Sequence, residues 1–210
     1  MRGHRLELEA DTVGESWRAV MELFRIPKMR MVSRHGISFD IQGLTVWISN
    51  PADLSTPTGY AYPELIKDWR DMLFGDHRDD SLLYQRLRRW PTEEQPVDQL
   101  ASIVSLLRGD ENSRSAVFSV WQPGKDPGSP FSISPVGGAC RIVEETLLLF
   151  LTARSVDVWM GMVPELLAFS QLAMDLALEL NLGKSRICYH AWSAHLYELD
   201  YLTYFGEAAT

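Results

Sequence analysis

The sequence predicts an α+β fold, a single domain spanning residues 1–210 in which a mixed β-sheet packs on one long buried helix. Three observations carry this. From Val163 onward the apolar residues Leu166, Phe169, Leu172, Ala173, Leu176 and Leu180 recur at helical spacing, and Ala168, Met174, Ala177 and Leu178 fill much of the remaining circumference. A helix with that pattern over 163–182 is buried nearly all round. Strand-like segments flank it at 37–48, 116–121, 146–152 and 187–191. A chain of 210 residues, 46% hydrophobic and 23% charged, has the length and composition of one globular domain that can enclose such a helix.

Taken in order, Leu6 and Leu8 alternate with Glu7 and Glu9 as a short strand, and Thr12-Val13-Gly14-Glu15 has the pattern of a capping box. A helix should follow, with Trp17, Val20, Met21 and Phe24 on one face and Pro27 at its end. Ile37, Phe39 and Ile41, then Leu44, Val46 and Ile48, alternate on either side of Gln42-Gly43, which predicts a hairpin. Residues 51–63 read as a surface loop punctuated by Pro51, Pro57 and Pro63. A helix begins near Pro63, turns Leu65, Ile66, Trp69, Met72 and Leu73 inward and ends at Gly75, and 76–81 is solvated. Leu100, Ile103, Val104 and Leu107 give a further helix closing at Gly109. The proline-rich stretch 123–135 is a loop long enough for a functional role. Gly137-Gly138-Ala139 then leads into Cys140, and 146–152 is a buried strand. Arg154 and Asp157 stand directly before the most hydrophobic helix, whose first turn holds Pro164 and Glu165 and whose stop is Asn181-Leu182-Gly183. Polar groups set against a core are costly unless partnered, so 154–165 is the candidate site.

A formal net charge of -8 makes polyanions poor partners. Nucleic acid and anionic membrane surfaces are therefore excluded, and a local basic cluster would serve one small phosphate. No apolar run approaches the roughly 20 residues of a spanning helix, and residues 1–10 lack the apolar core of a signal peptide, so a cytoplasmic protein is expected. Cys140 and Cys188 lack CxxC or Cys/His ligand spacing and the histidines are scattered, so neither a disulfide nor a metal is expected.

Arg154-Ser155-Val156-Asp157-Val158-Trp159-Met160-Gly161 resembles the R-S-x-D-[VI]-x-L-G segment of thymidylate synthases, and Ser193-Ala194-His195-Leu196-Tyr197 resembles their later D-x-H-L-Y. Asn112-Ser113-Arg114 with the run 116–121 is similar to their D-S-R-R-x-x-x-S-x-W, and Tyr84 to Arg89 to Y-G-x-[QR]-x-R, with Gln85 for the glycine. The ordered matches run from about residue 84 onward. The resemblance implies a thymidylate-synthase-like fold, a pyrimidine nucleoside monophosphate as substrate and 5,10-methylenetetrahydrofolate as one-carbon donor. It also implies a homodimer, because the arginine of the S-R segment, here Arg114, crosses to the partner's phosphate site.

A pyrimidine is inert at C5 until a nucleophile adds at C6, and a thiolate suits that step once cationic neighbours lower its pKa. The resemblance makes Cys140 the expected nucleophile, since it stands fourteen residues before Arg154, close to where that family keeps its nucleophilic cysteine, with Arg141 and Arg154 as those neighbours. On its own such a cysteine would read as a small buried hydrophobe. The resemblance assigns Arg154, Ser155 and Arg114 to the phosphate, with Arg34 as a weaker fourth group, and Ser115 stands where a second arginine belongs. It assigns His195 and Tyr197 to the sugar hydroxyl, Tyr84 to the active site, Asp157 to N–H donors of the folate ring and Gly161 to the room that ring needs. For the acid/base carboxylate, Asp68 stands seven residues before Gly75-Asp76, with Asp71 and Glu64 as rivals and plain helix-surface charge as the alternative.

Glu165 aligns with an asparagine that reads uracil in that family. An ionised carboxylate only accepts hydrogen bonds, whereas a protonated one at a buried site matches the donor and acceptor of cytosine. The expected activity is therefore cytidylate (CMP or dCMP) 5-hydroxymethylation through a Cys140 adduct, with uridylate methylation or a nonreactive nucleotide-binding relative as alternatives.

Overall fold

The computed structural model describes residues 6–26, 28–76, 78–129 and 133–206. In chain order the elements are β1 (Leu6–Ala10), α1 (Val13–Leu23), β2 (Met29–Ser33), β3 (Gly36–Ile48), α2 (Pro63–Phe74), α3 (Leu82–Arg88), α4 (Gln99–Gly109), β4 (Val117–Ser119), β5 (Pro135–Val143), β6 (Thr146–Ala153), β7 (Val156–Asp157), α5 (Met162–Glu179), β8 (Lys184–Tyr197) and α6 (Glu198–Phe205). Among these, eight strands form one mixed sheet in the order β1-β3-β8-β6-β5-β4, with β2 added to β3 and β7 to β8. β8 is the central strand. It is antiparallel to β3 and parallel to β6 and β7.

Along β6 and β8 every second side chain points inward: Leu147, Leu149, Leu151 and Ala153 on one, Ile187, Tyr189 and Ala191 on the other. The inner face is closed by α5, which α1 and α2 contact in turn, and α1 also touches β1 and β3. Residues 162–170 of α5 are all buried, so the all-round apolar pattern predicted for this helix holds over its first half. The second half opens one face to solvent at Leu178, 75% exposed. The helix stops where the sequence predicts, with Asn181 in the left-handed region at φ 59°. α1 begins with the expected cap, Thr12 Oγ1 accepting from the Glu15 amide at 3.1 Å. It ends at Leu23, and Pro27, assigned above to its end, lies outside the described residues.

The hairpin expected at Gln42-Gly43 does not form. β3 is one strand of 13 residues, and the turn of the real hairpin is Arg34-His35, between β2 and β3. The apolar alternation changes phase at Gly43, whose left-handed φ of 71° lets both Ile41 and Leu44 face the core while the register with β8 is kept. β8 shifts phase opposite it, with both Ala191 and Ala194 inside. α6 and the short helix α3 were not foreseen. No helix among the described residues is long and apolar enough to cross a membrane.

Candidate active site at the amino end of the buried helix

Four pieces of chain converge at the start of α5: the residues entering β5, the end of β6, β7 and the last third of β8. The β5–β6 register sets Pro135 opposite Ala153, so Ser134 and Arg154 lie side by side, and the Arg154 amide donates to Ser134 O at 3.0 Å. The Arg154 guanidinium donates from Nε to Ile133 O (3.2 Å) and from Nη1 to Ser155 Oγ (3.1 Å), and it lies over the Trp121 ring at 5.9 Å. Ser134 Oγ in turn donates to Ser155 O at 2.6 Å. This fixes the fork of Arg154 and the half-buried hydroxyl of Ser134 at the same end of the helix.

Glu165, in the first turn of α5, is 1% exposed. Burial pushes its carboxyl up to about 7, while hydrogen-bonding contact with Ser134 and Tyr189 and the charge of Arg154 pull the other way. Its Oε1 and the hydroxyl of Tyr189 complete no hydrogen bond, although each group acts on the other's proton affinity. Buried polar atoms left open in this way mark a place where a ligand's polar edge fits.

Across the site Asp157 and His195 are paired residues of β7 and β8, and Asp40 of β3 pairs with His195 from the other side. Asp157 Oδ1 accepts the amides of Trp159 (3.0 Å) and Met160 (3.1 Å), which folds the turn into α5. Burial raises the Asp157 carboxyl, and those amides with His195 oppose the shift. Burial lowers His195, partly offset by the charges of Asp157 and Asp40. Asp40 is itself held by Ser38 Oγ and Ser193 Oγ, each donating at 2.7 Å. Tyr197 packs edge-on to His195 at 5.2 Å. Beside this turn stands an aromatic wall in which Trp159 Nε1 donates to Tyr62 Oη at 3.1 Å and Tyr60 Oη donates to Met160 O at 2.6 Å.

The structure thus brings together Arg154, Ser155, Asp157, Gly161, Glu165, His195 and Tyr197. It does not bring Cys140 to them, which corrects the nucleophile expected from the sequence. Cys140 pairs with Leu149, and five residues of strand, roughly 17 Å, separate Leu149 from Arg154. The thiol is fully buried, and burial alone pushes it up to about 12. Tyr84 is displaced too. It lines a cavity of about 520 Å³ with Asp98, Leu172, Asp175 and Glu179, on the second half of α5, and ten helical residues, roughly 15 Å, lie between Glu165 and Asp175. Asp68, with its rivals Asp71 and Glu64, is exposed on α2, so the surface-charge alternative describes it. Arg114 is exposed just before the edge strand β4, and Arg34 sits on the β2–β3 turn with Nε donating to His35 at 3.0 Å. Sequence reading missed Ser134, Tyr189 and Asp40. The length of the 123–135 loop marked the neighbourhood of Ser134, but nothing singled out the residue.

An anchored guanidinium, a buried open carboxyl and a carboxylate–histidine pair thus lie together around one helix terminus. The sequence profile of the thymidylate synthase family matches residues 37–203, and the chain belongs to that family. Its members use methylenetetrahydrofolate to act on a pyrimidine nucleotide. Similar proteins include two named "Putative thymidylate synthase". That of Methanopyrus kandleri is 25% identical over 211 residues, covering 95% of this chain and 96% of its own. That of Methanothermobacter thermautotrophicus is 22% identical over 92% of this chain and 94% of its own. A "Thymidylate synthase" of Listeria monocytogenes is 26% identical over 52% of this chain and 35% of its own.

Proposed function

We propose that this chain binds a pyrimidine nucleoside monophosphate at the amino end of α5 and transfers a one-carbon unit from 5,10-methylenetetrahydrofolate to C5 of its ring. The observation that carries the reading is Arg154, fixed by Ile133 O and Ser155 Oγ beside the buried, open carboxyl of Glu165. A planar guanidinium held in one orientation suits a phosphate, and Ser155 adds a hydroxyl next to it. His195 and Tyr197 are the groups for the sugar, and Arg34 and Arg114 the further cations for the phosphate.

The residues by the Asp157 turn fit a folate. Asp157 spends Oδ1 on two amides, which leaves its other oxygen for a ring N–H, and Tyr62 packs edge-on against the buried Trp159 beside this turn. A Cβ at Gly161 would stand 3.2 Å from Asp157 O, so the glycine lets this turn close tightly. When bound, the folate supplies the transferred carbon; the protein's part is to orient the two ligands and exclude water.

The names of the methanogen and Listeria relatives favour methylation of a uridylate. Glu165 supports a second reading, hydroxymethylation of a cytidylate, because a protonated carboxyl both donates and accepts and so matches the cytosine edge. A homodimer fits both. The outer face of the sheet carries Trp47 and Phe150 edge to face at 5.8 Å, with Trp192 52% exposed, and the Arg114 segment would complete the partner's phosphate site. The test is calorimetric titration with dUMP, UMP, dCMP and CMP. Arg154→Ala should weaken the bound nucleotide about 10- to 100-fold, the value of a charge-assisted contact; equal affinity of variant and wild type, or no binding at all, would refute the reading.

A further inference from the structure

We infer that Asp40 is the residue that orients the His195 ring toward the sugar of the bound nucleotide, bringing in from β3 a carboxylate that the D-x-H-L-Y pattern carries on β8. The inference rests on the nucleotide reading above and deepens it. In that pattern an aspartate stands two residues before the histidine, and this chain has Ser193 there. The neighbouring strand returns a carboxylate to the same place, since Asp40 Oδ2 accepts from Ser193 Oγ at 2.7 Å.

Strand register is what makes the substitution possible. β3 and β8 run antiparallel with Ser38 opposite Tyr197, Asp40 opposite His195 and Gln42 opposite Ser193. Alternate residues share a face, so Ser38, Asp40, Ser193, His195 and Tyr197 line one strip, and Asp40 meets Ser193 as a diagonal neighbour. Its other oxygen, Oδ1, accepts from Ser38 Oγ at 2.7 Å. With a hydroxyl on each oxygen, the carboxylate is held in one plane. Directly paired residues keep their Cβ atoms about 5 Å apart, so this fixed group stands beside the imidazole.

His195 is bordered on its other side by Asp157, its pair on β7, and Tyr197 packs edge-on to it at 5.2 Å. Burial lowers the proton affinity of the ring; Asp157 and Asp40 raise it, and Arg154 and His35 lower it further. Asp157 Oδ1 is already committed to the amides of Trp159 and Met160, which fold the turn into α5. Asp40 makes no such backbone contact: its two hydroxyl partners lie on the strip that carries His195. A carboxylate fixed beside an imidazole favours the ring setting that turns an N–H toward it and leaves the second nitrogen to face a ligand. Asp40 therefore acts through His195, as a positioning residue.

The experiment is calorimetric titration of the full chain with the pyrimidine nucleotide that binds wild type and with its analogue lacking the 3′-hydroxyl. Asp40→Asn keeps the shape and removes the charge. It should weaken the parent nucleotide about 5-fold, the net worth of one hydrogen bond, and leave the affinity for the analogue unchanged. Asp40→Ser should behave in the same way. Exchanging the two positions, Asp40→Ser together with Ser193→Asp, should restore wild-type affinity for the parent nucleotide, because the carboxylate then stands two residues before His195 on β8. A role confined to stability would weaken both ligands alike and would not be repaired by the exchange. Wild-type affinity in Asp40→Asn, an equal loss with both ligands, or a double variant no better than Asp40→Ser overturns the inference and leaves the nucleotide site standing. If the single variants do not fold, the double variant decides, by binding as wild type does or by failing to. A wild type that binds no pyrimidine nucleotide removes the inference and the reading beneath it together.

Discussion

Glu165 shows how a single residue links packing to chemistry. Its carboxyl rises from an ordinary 4.5 to about 7 on burial. Between those values the folded protein holds a proton that the unfolded chain has released, so stability falls as pH rises through that window and is level above it. A shift of this size is worth on the order of 3 kcal/mol. Glu165→Gln imitates the protonated form, so its stability relative to wild type should grow by that order between about pH 5 and about pH 8. Urea midpoints at the two pH values measure it, and a constant difference would show that the carboxyl is not perturbed. The residues of this site were legible where one stretch set charge against an apolar helix: Arg154, Ser155, Asp157 and Glu165. Cys140 and Tyr84 were assigned through the family resemblance, whereas strand register and helix length set their side chains away from this terminus. Ser134 was silent because a serine in a loop carries no periodicity.

Among the elements, α5 was the most legible, since its apolar residues, its first-turn proline and its left-handed stop agree. The β3 hairpin was misread because a left-handed glycine within a strand and one in a turn leave the same mark, a glycine between two alternating runs. Only the pairing of both halves with β8 separates them. The approach to the site depends on Gly138 in β5, where a Cβ would come within 2.6 Å of Phe118 Cζ and strike Phe150 O as well. Backbone cannot yield as a flexible side chain does, so Gly138→Ala should destabilise by about 3 kcal/mol or more. A urea midpoint equal to wild type would contradict that packing. α3 and the 123–135 loop are tied differently, by Arg86 Nη1 and Nη2 donating to Asp126 at 2.6 and 2.7 Å, both residues buried. This pair was not legible in the sequence, because the partner carboxylate lies 40 residues away.

For the whole molecule, the fold class was legible because strand and helix periods are separate signals, whereas the two faces of the sheet were not distinguished. The outer face, with Trp47, Phe150 and Trp192, is the proposed dimer surface. Trp192→Glu should then give a monomer in sedimentation where wild type is a dimer, since a buried charge without a partner disfavours the interface; a wild type that sediments as a monomer would exclude it. What the assembled molecule does is tested by incubating wild type with dUMP, UMP, dCMP or CMP and 5,10-methylenetetrahydrofolate and reading the mass of the recovered nucleotide. One of them should gain a single carbon at C5, as methyl if the uridylate reading holds and as hydroxymethyl if the cytidylate reading holds, and Glu165→Asn should shift preference toward uracil. Recovery of all four nucleotides unchanged, from protein shown to be folded, would contradict one-carbon transfer at this site.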